Sequence, residues 1–212
     1  ALLAKFSQAN VEKIIFQVIT EPAQHAIALE TGNADISASV TGADISRFME
    51  GGESAEGFTV FKFLDNLTQL MAFNGTEGSP FVNKELRQAV AYAIDTTGMC
   101  EAVSPGACAP AHTIGNSNFG GYLTKWDTEP YYEYDLDKAK ALFESAGYKP
   151  GELTLRLLAQ NDPRSGLIAQ VVQAYLAELG ITVEINQVEA PTFNELKLDP
   201  TQFDMSIDAA AG

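Results

Sequence analysis

Residues on which many protein chemistries depend are scarce in this chain. Its 212 residues include only two cysteines and two histidines, and 13 lysines and arginines stand against 28 aspartates and glutamates. Cys100 and Cys108 do not have a metal-ligand spacing, and His25 and His112 lie far apart in sequence, so we expect no metal site. The net charge of −15 argues against nucleic acid or an anionic membrane as a partner, because both require clustered cationic side chains.

Long apolar segments are also missing. No run of about 18 consecutive apolar residues occurs, so the sequence predicts no membrane span. The first residues, Ala1–Lys5, are too short a stretch for the apolar region of a signal peptide. A hydrophobic fraction of 46% at this length predicts a folded protein of one large domain or two small ones.

The short motifs of common enzymes are absent. The chain contains no G-x-G-x-x-G, Walker A, G-x-S-x-G or H-E-x-x-H pattern, and Gly51-Gly52 precedes charged residues rather than a helix start. Catalysis by a serine, a histidine and an aspartate would have to use His25 or His112. The many carboxylates are better explained as an acidic solvated surface than as catalytic pairs. Nothing in the sequence requires an enzyme or a cofactor.

The two cysteines allow two interpretations. Cys100 and Cys108 could be two buried thiols. In an oxidising compartment they could instead form a small disulfide loop, which would contribute about 2–3 kcal/mol through loop closure.

Strand and helix signals alternate along most of the chain. Hydrophobic periodicity and turn residues predict strands at Lys13–Ile19, Ala34–Ser37, Phe58–Leu64, Gln69–Asn74, Leu153–Leu158, Ile181–Ile185 and Phe203–Ile207. Helices are predicted from Thr20 to Gly32, at Ala43–Glu50, from the cap Asn83 to Ile94, from the cap Asp135 to Gly147, and at Leu167–Leu179 and Thr192–Leu198. Residues 51–57 form the clearest linker, and Val103–Tyr134 form a long loop rich in aromatic residues. This order predicts an α/β fold with a parallel-rich sheet covered by helices.

Five segments, in order along the chain, carry motifs of one family. They are Ile15–Ile19 with Ala28–Ile36, Leu70–Asn74 with Pro80–Asp95, Gly106–Ala111, Tyr134–Tyr148, and Leu176–Glu184. The second segment is highly specific, because FN is followed by PFVN and then by LRQAVAYAID. Over residues 11–207 the chain resembles the family-5 extracellular solute-binding proteins, the peptide- and nickel-binding components of bacterial ABC importers.

The resemblance implies a transport receptor rather than an enzyme. It implies an incomplete type II periplasmic-binding-protein-like fold, with a middle segment of the first lobe at residues 1–57 and most of the C-terminal lobe at 58–212. Such a receptor captures a peptide, a nickel chelate or a sugar in a cleft between lobes that close as a hinge, and delivers it to a membrane permease. We therefore expect a monomer without a cofactor, located outside the cytoplasm in the periplasm or lipid-anchored at the cell surface. Because the family's chains are far longer, we also expect this chain to be a fragment.

Two other functions remain as alternatives. A signalling or interaction module could reuse the scaffold without transport. A hydrolase is the weaker alternative, because the sequence offers no evident pair of nucleophile and base.

Candidate solute-binding residues follow from the same resemblance, which places ligands at strand carboxyl ends and helix amino ends. The candidates are Asn66, Thr68, Gln69, Asn161, Asp162, Arg164 and Asp208. Ordinary turn chemistry explains Asn161-Asp162-Pro163 equally well. Many relatives have a G-W-x-x-D segment after the final strand, but here Ala210 stands in place of the tryptophan and the acid would follow Gly212. This departure weakens the case for peptide as the solute.

Overall fold

The chain divides into two compact units, Ala1–Val60 and Phe61–Gly212. The structure, a computed structural model, describes residues 12–21, 23–38, 40, 42–61, 67–105, 108–115 and 120–211. The smaller unit contains helix α1 (Ala23–Glu30), helix α2 (Gly42–Ile45) and a 3-10 turn at Ser46–Phe48. Arg47 and Ser54 both donate hydrogen bonds to the Glu30 carboxylate and thereby connect the end of α1 to the chain after α2.

The strand predictions for the smaller unit are wrong. Residues 13–19 have no strand pairing, and Ala34–Ser37 form an irregular segment with a bend at Asp35 instead of a strand. A strand is stable only when a neighbouring strand accepts and donates its backbone hydrogen bonds, and the described part of this unit supplies none. The helix prediction is confirmed: α1 is followed by Gly32, whose φ of 71° is the left-handed conformation typical after a helix.

The larger unit alternates helices and strands, as predicted. Its strands are β1 (Leu67–Phe73), β2 (Thr154–Gln160), β3 (Thr182–Val188) and β4 (Met205–Ala211). Its helices are α3 (Lys84–Ala93), α4 (Thr96–Val103), α5 (Leu136–Ser145), α6 (Pro163–Ala177) and α7 (Ala190–Leu196), with 3-10 turns at Pro80–Val82 and Thr124–Asp127. Of the predicted strand Phe58–Leu64, residues 58–61 form no strand and 62–64 lie outside the described residues.

The four strands form one mixed sheet in the order β1-β4-β2-β3. Strand β2 pairs in parallel with both β3 and β4, whereas β1 pairs antiparallel with β4. A continuous core covers one face of the sheet, where α3, α5 and α6 pack. Its large, fully buried members include Phe81, Phe143, Leu86, Leu155, Leu157, Leu176, Val172 and Met205. A smaller cluster on the other face packs Phe193 of α7 against Leu158 and Phe203.

Local capping residues fix several helix ends in the larger unit. The Asn83 side chain accepts hydrogen bonds from the backbone N–H groups of Glu85 and Leu86, as predicted for the start of α3. Asp135 caps α5 in the same way, also as predicted. Helix α4 was not predicted, although Asp95 caps it through two backbone N–H groups. Its short sequence contains Gly98 and two threonines, which weaken the helical signal.

The start of α6 differs from the prediction. The helix begins at Pro163 rather than Leu167, because Asp162 accepts hydrogen bonds from the N–H groups of Arg164 and Ser165 and Pro163 occupies the first turn. Residues 163–166, which precede the predicted helix, therefore form its first turn. In the described part of the chain, no helix is both long enough and apolar enough to cross a bilayer.

Candidate functional site

The ends of the strands bring several predicted residues to one edge of the sheet. Leu158 of β2 lies opposite Ser206 of β4, and Gln160 lies opposite Val188 of β3. The carboxyl ends of β2, β3 and β4 therefore lie at the same edge, where the amino end of antiparallel β1 joins them. We call this edge, formed by residues 67–70, 160–162, 188–189 and 208–211, the carboxyl edge. Ligands of open α/β sheets bind outside such an edge.

Polar residues after β2 hold the carboxyl edge together. The Asn161 backbone N–H donates to the Val188 carbonyl at 2.8 Å, and its Nδ2 donates to Glu189 Oε1 at 2.8 Å. Asp162 Oδ1 accepts from two backbone N–H groups at 3.0 Å each. The predicted turn chemistry is therefore present at Asp162, whereas Asn161 bonds to residues at the end of β3. The Arg164 guanidinium is exposed and has no hydrogen-bond or ion-pair partner among the described residues.

A shallow depression of about 610 Å³ lies beside this turn. Asn161, Asp162 and Gly166 line it together with Gln187 of β3. Gly166 is buried, and a Cβ atom there would lie 2.6 Å from Gln187 Nε2, so this glycine leaves room for the glutamine amide. The depression is a polar surface at the carboxyl edge next to the amino end of α6.

The candidates on β1 and β4 divide between the two faces of the sheet. Thr68 lies opposite Ala210 and is buried on the face that carries α7. Gln69, the next residue, points to the opposite face and is exposed, because successive side chains of a strand alternate. Asp208 shares the face of Thr68. Asn66 lies outside the described residues.

Asp208 is held by two side chains of its own chain. Lys197, which follows α7, donates a hydrogen bond from Nζ to Asp208 Oδ1, and Ser206 Oγ donates to Oδ2 at 2.7 Å. The Lys197 ammonium also lies 5.5 Å from the centre of the Phe193 ring. The sequence did not indicate Lys197 as a member of this site, since the contact joins residues from a helix end and a strand. Asp208 can contact a solute only beside this ion pair.

A second polar cluster lies at the opposite edge of the sheet. Asn74 Nδ2 donates to the carbonyls of Pro200 and Phe203 at 2.7 and 2.9 Å, and its Oδ1 accepts from the N–H and hydroxyl of Thr76. A depression of about 490 Å³ lies beside it and is also lined by Arg156. Because every hydrogen-bonding group of the Asn74 side chain is used within the chain, this cluster is part of the scaffold.

The ion pair of Arg156 and Asp204 completes the second cluster. The buried Asp204 carboxylate accepts from the backbone N–H, Nε and Nη2 of Arg156 at 2.8, 3.0 and 2.9 Å. Hydrogen bonding to Asp204 raises the pKa of Arg156. Nearby, hydrogen bonds from the hydroxyl and N–H of Thr201 lower the pKa of Asp199. These contacts fix the turn that leads into β4.

His25 is the one histidine with a described contact to a hydroxyl group. Its Nδ1 lies 3.3 Å from Ser37 Oγ, and its Nε2 lies 3.2 Å from the Ile19 carbonyl. In a catalytic triad, the histidine nitrogen that does not face the serine bonds to a carboxylate. In His25 this nitrogen faces the Ile19 carbonyl, so the contact with Ser37 does not form a serine–histidine–aspartate triad. Among the described residues, no group of three histidine, cysteine, aspartate or glutamate side chains could hold a metal ion.

The cysteines and the long loop are distant in sequence from the candidate residues of the carboxyl edge. Cys100 and Cys108 form a disulfide with their Cα atoms 5.2 Å apart. In the loop, the rings of Tyr122 and Trp126 meet edge to face at 5.5 Å. Tyr132 contacts the ring of Tyr92 on α3 in the same manner at 5.1 Å, which attaches the end of the loop to that helix.

Solved structures share this fold. NikA from Brucella suis, solved in complex with Fe(III)-EDTA, superposes with a TM-score of 0.75 at 23% identity over 92% of this chain and 40% of that chain. A mixed α/β sheet with flanking helices of this kind is the fold of type II periplasmic binding proteins. The predicted fold class is confirmed.

The sequence comparison identifies the family. A model of bacterial extracellular solute-binding proteins, family 5 (middle), matches residues 5–212, and the chain belongs to this family. Di/tripeptide-binding protein 3 of Pseudomonas aeruginosa is 26% identical over 196 residues, 87% of this chain and 34% of the relative. Heme-binding protein A of Haemophilus influenzae is 34% identical over 115 residues, 52% of this chain and 20% of the relative. The chain spans about a third of the length of the first curated relatives it matches.

Proposed function

We propose that this chain forms part of the substrate-binding component of an ABC importer, which captures a small solute outside the cytoplasm. The observation that carries the proposal is the family match over residues 5–212. Because the chain corresponds to about a third of its relatives, the complete receptor would include further segments that form the rest of the cleft. Residues 1–57 would belong to the first lobe and 58–212 to the C-terminal lobe.

The carboxyl edge is the side of the sheet that would face the solute. Thr68, Asn161, Asp162 and Arg164 lie there with Asp208. Arg164 offers a guanidinium that has no partner in the described part of the chain, and Asn161 offers an amide whose Nδ2 already bonds to Glu189. Asn66 and Gln69 would contribute from the start of β1. Such a mixture of single polar groups on a sheet edge suits a small polar solute.

Three classes of solute are candidates within this proposal. The names of the relatives describe proteins that bind di- and tripeptides or heme, and NikA holds a metal chelate. A peptide, a metal chelate such as a nickel complex, or a sugar would each fit a receptor of this family. Ala210, in the position of the usual tryptophan, removes one aromatic contact and favours a solute that needs no stacking ring.

Three further features belong to the proposal. The receptor would not be an enzyme, and the contact of His25 with Ser37 would only connect α1 to the segment after it. It would reside in the periplasm or be lipid-anchored at the cell surface. Its partner would be the membrane permease of the importer.

A ligand panel on the protein expressed from the complete gene tests the proposal. Peptides, nickel and iron chelates and sugars would be screened by thermal shift, and hits measured by calorimetry. We expect one solute class to raise the unfolding temperature, and Arg164→Ala to weaken that binding. Lys125→Ala is the matched control, because it removes a cation from the 3-10 turn at residues 124–127, outside the carboxyl edge. A panel in which no solute stabilises the protein, or hydrolysis of a solute during the assay, would contradict the proposal.

A further inference from the structure

Lys197 brings a cation to the carboxyl edge from outside the sheet. It follows α7, and its Nζ donates a hydrogen bond to Oδ1 of Asp208 at the carboxyl end of β4. The other carboxylate oxygen, Oδ2, accepts from Ser206 Oγ at 2.7 Å. Each oxygen of the Asp208 carboxylate is therefore bonded to a group of the same chain.

The ion pair of Lys197 and Asp208 is partly buried and fixed on both sides. The exposed fraction of the side chain is 16% for Asp208 and 35% for Lys197. Ser206 is fully buried, and the Lys197 ammonium lies 5.5 Å from the centre of the buried Phe193 ring. Partly buried charges are screened less by salt than exposed ones, so loss of one partner leaves the other charge poorly compensated.

The ammonium of Lys197 determines which solute groups the Asp208 carboxylate attracts. A carboxylate without a partner attracts a cation, but an ammonium at hydrogen-bonding distance cancels most of that attraction and repels a second cation. A carboxylate has further lone pairs, so a neutral hydroxyl or N–H group of a solute can still donate to Asp208. The pair therefore favours a neutral solute group over a cationic one at this position.

The other charged residues of the carboxyl edge follow β2 and β3. Asp162 Oδ1 accepts from two backbone N–H groups at the start of α6, and Glu189 Oε1 accepts from Asn161 Nδ2. Arg164 adds an exposed cation on the same turn as Asp162. Among the residues that define the carboxyl edge, Asp208 is the acid that β4 contributes. Its partner Lys197 therefore controls the charge on the β4 side of the edge.

We propose that Lys197 is a specificity-determining residue of the receptor. It directs the β4 side of the carboxyl edge toward solutes that present a neutral or anionic group there and against solutes that present a cation. The inference rests on the proposed function, because it assigns a role within the same solute-binding face. It predicts that removal of the ammonium makes Asp208 a carboxylate that attracts cations.

Carboxyl labelling of the protein from the complete gene tests the ion pair without a solute. Asp208 would be activated by a cationic carbodiimide, coupled to glycine ethyl ester and quantified by peptide mass spectrometry. Lys197→Met keeps an apolar side chain beside Phe193 but removes the charge, so we expect it to raise the labelling rate of Asp208 at least about tenfold. Lys197→Arg should keep the original rate. The exposed Asp137 of α5 is the internal control, and its rate should not change.

Matched solutes that differ by a single positive charge test the specificity. The pairs are glucosamine with N-acetylglucosamine and triglycine with N-acetyltriglycine, and calorimetry measures their affinities for the same variants. We expect the original protein to prefer the acetylated member, and Lys197→Met to shift the ratio of affinities toward the cationic member at least about tenfold. Lys125→Met removes a cation outside the carboxyl edge and should leave the ratio unchanged.

The outcomes separate the role of Lys197 from the proposed function. Equal labelling of Asp208 in the original protein and in Lys197→Met would overturn the inference. An affinity ratio that Lys197→Met leaves unchanged would also overturn it, because a merely structural ion pair would weaken both affinities together. If no member of either pair binds, the labelling rates decide the role of Lys197, and only failure of the wider solute panel contradicts the proposed function.

Discussion

Replacing Asn74 by aspartate is a stringent test of the assignment of this residue to the scaffold. The change keeps the size of the side chain and replaces its NH₂ group by oxygen. Asn74 is buried and donates to the carbonyls of Pro200 and Phe203 at 2.7 and 2.9 Å. An ionised aspartate would bring a negative oxygen against these two carbonyls and leave both without a donor.

The expected cost follows from the two lost hydrogen bonds. Each unsatisfied buried polar group costs about 1–3 kcal/mol, so Asn74→Asp should lower the free energy of unfolding by roughly 2–5 kcal/mol at neutral pH. The loss should be smaller in acid, because a protonated carboxyl can donate to one of the two carbonyls.

The pH dependence has a defined sign. Burial and the facing carbonyls raise the pKa of an aspartate at position 74 in the folded state above its unfolded value of about 3.9. A raised folded pKa means that the stabilising contribution is fully present below the unfolded pKa and is lost as the pH rises through the folded pKa. The loss of free energy of unfolding, relative to the original chain, should therefore grow as the pH rises from the unfolded pKa to the folded pKa of this aspartate. At higher pH the loss should stay constant.

Urea unfolding followed by the fluorescence of Trp126 measures this deficit, because the only tryptophan of the chain lies in the larger unit. Asn194→Asp is the matched control, since it makes the same chemical change at an exposed position of α7. Equal free energies of unfolding for the two variants, or a deficit independent of pH, would refute the scaffold assignment for Asn74.

Three further predictions concern other parts of the larger unit. Gly180→Ala should destabilise it by about 3 kcal/mol, because Gly180 has a φ of 74° and an added Cβ would lie 2.5 Å from the Cβ of Pro150. Asp162→Ala should cost about 1 kcal/mol in urea unfolding, because α6 loses its N-terminal cap. Denatured but unreduced protein should show no free thiol, and reduction of Cys100–Cys108 should lower the free energy of unfolding by about 2–3 kcal/mol.

Each of these predictions has its own check. Gly147→Ala isolates the backbone cost, because Gly147 has a φ of 93° and open space around it, so it should cost less than the change at Gly180. Asp162→Asn should restore most of the cap, since an amide oxygen can accept the same bonds. Two titratable thiols before reduction would count against the disulfide, and an Asp162→Ala variant as stable as the original would count against the cap.

Local sequence signals predicted the parts of the fold that depend on local chemistry. Asn83 and Asp135 cap their helices where expected, because a capping side chain bonds only to residues two or three positions ahead. The strand prediction for residues 13–19 was wrong for the opposite reason. A strand needs a partner strand, and the sequence of a segment does not show which residues would pair with it. The same limit applies to β1, whose antiparallel pairing with β4 joins residues far apart in sequence.

The same distinction between local and long-range contacts applies to the candidate site. The sequence indicated Asn161 and Asp162 because polar residues follow a strand there, and the structure places both at the carboxyl edge. It could not indicate Lys197, whose contact with Asp208 depends on how α7 packs on the sheet. The sequence also did not show that Thr68 and Gln69 lie on opposite faces with different surroundings. Side chains of a strand alternate between faces, but only the register of β1 with β4 shows that Thr68 lies on the face that carries α7.

A crystal structure of the protein from the complete gene with its solute bound tests the central claim most directly. We expect the solute to lie against the carboxyl edge, within hydrogen-bonding distance of at least one of Asn161, Arg164 and Asp208. A solute bound at the opposite edge, beside Asn74 and Arg156, would contradict the proposed solute-binding face.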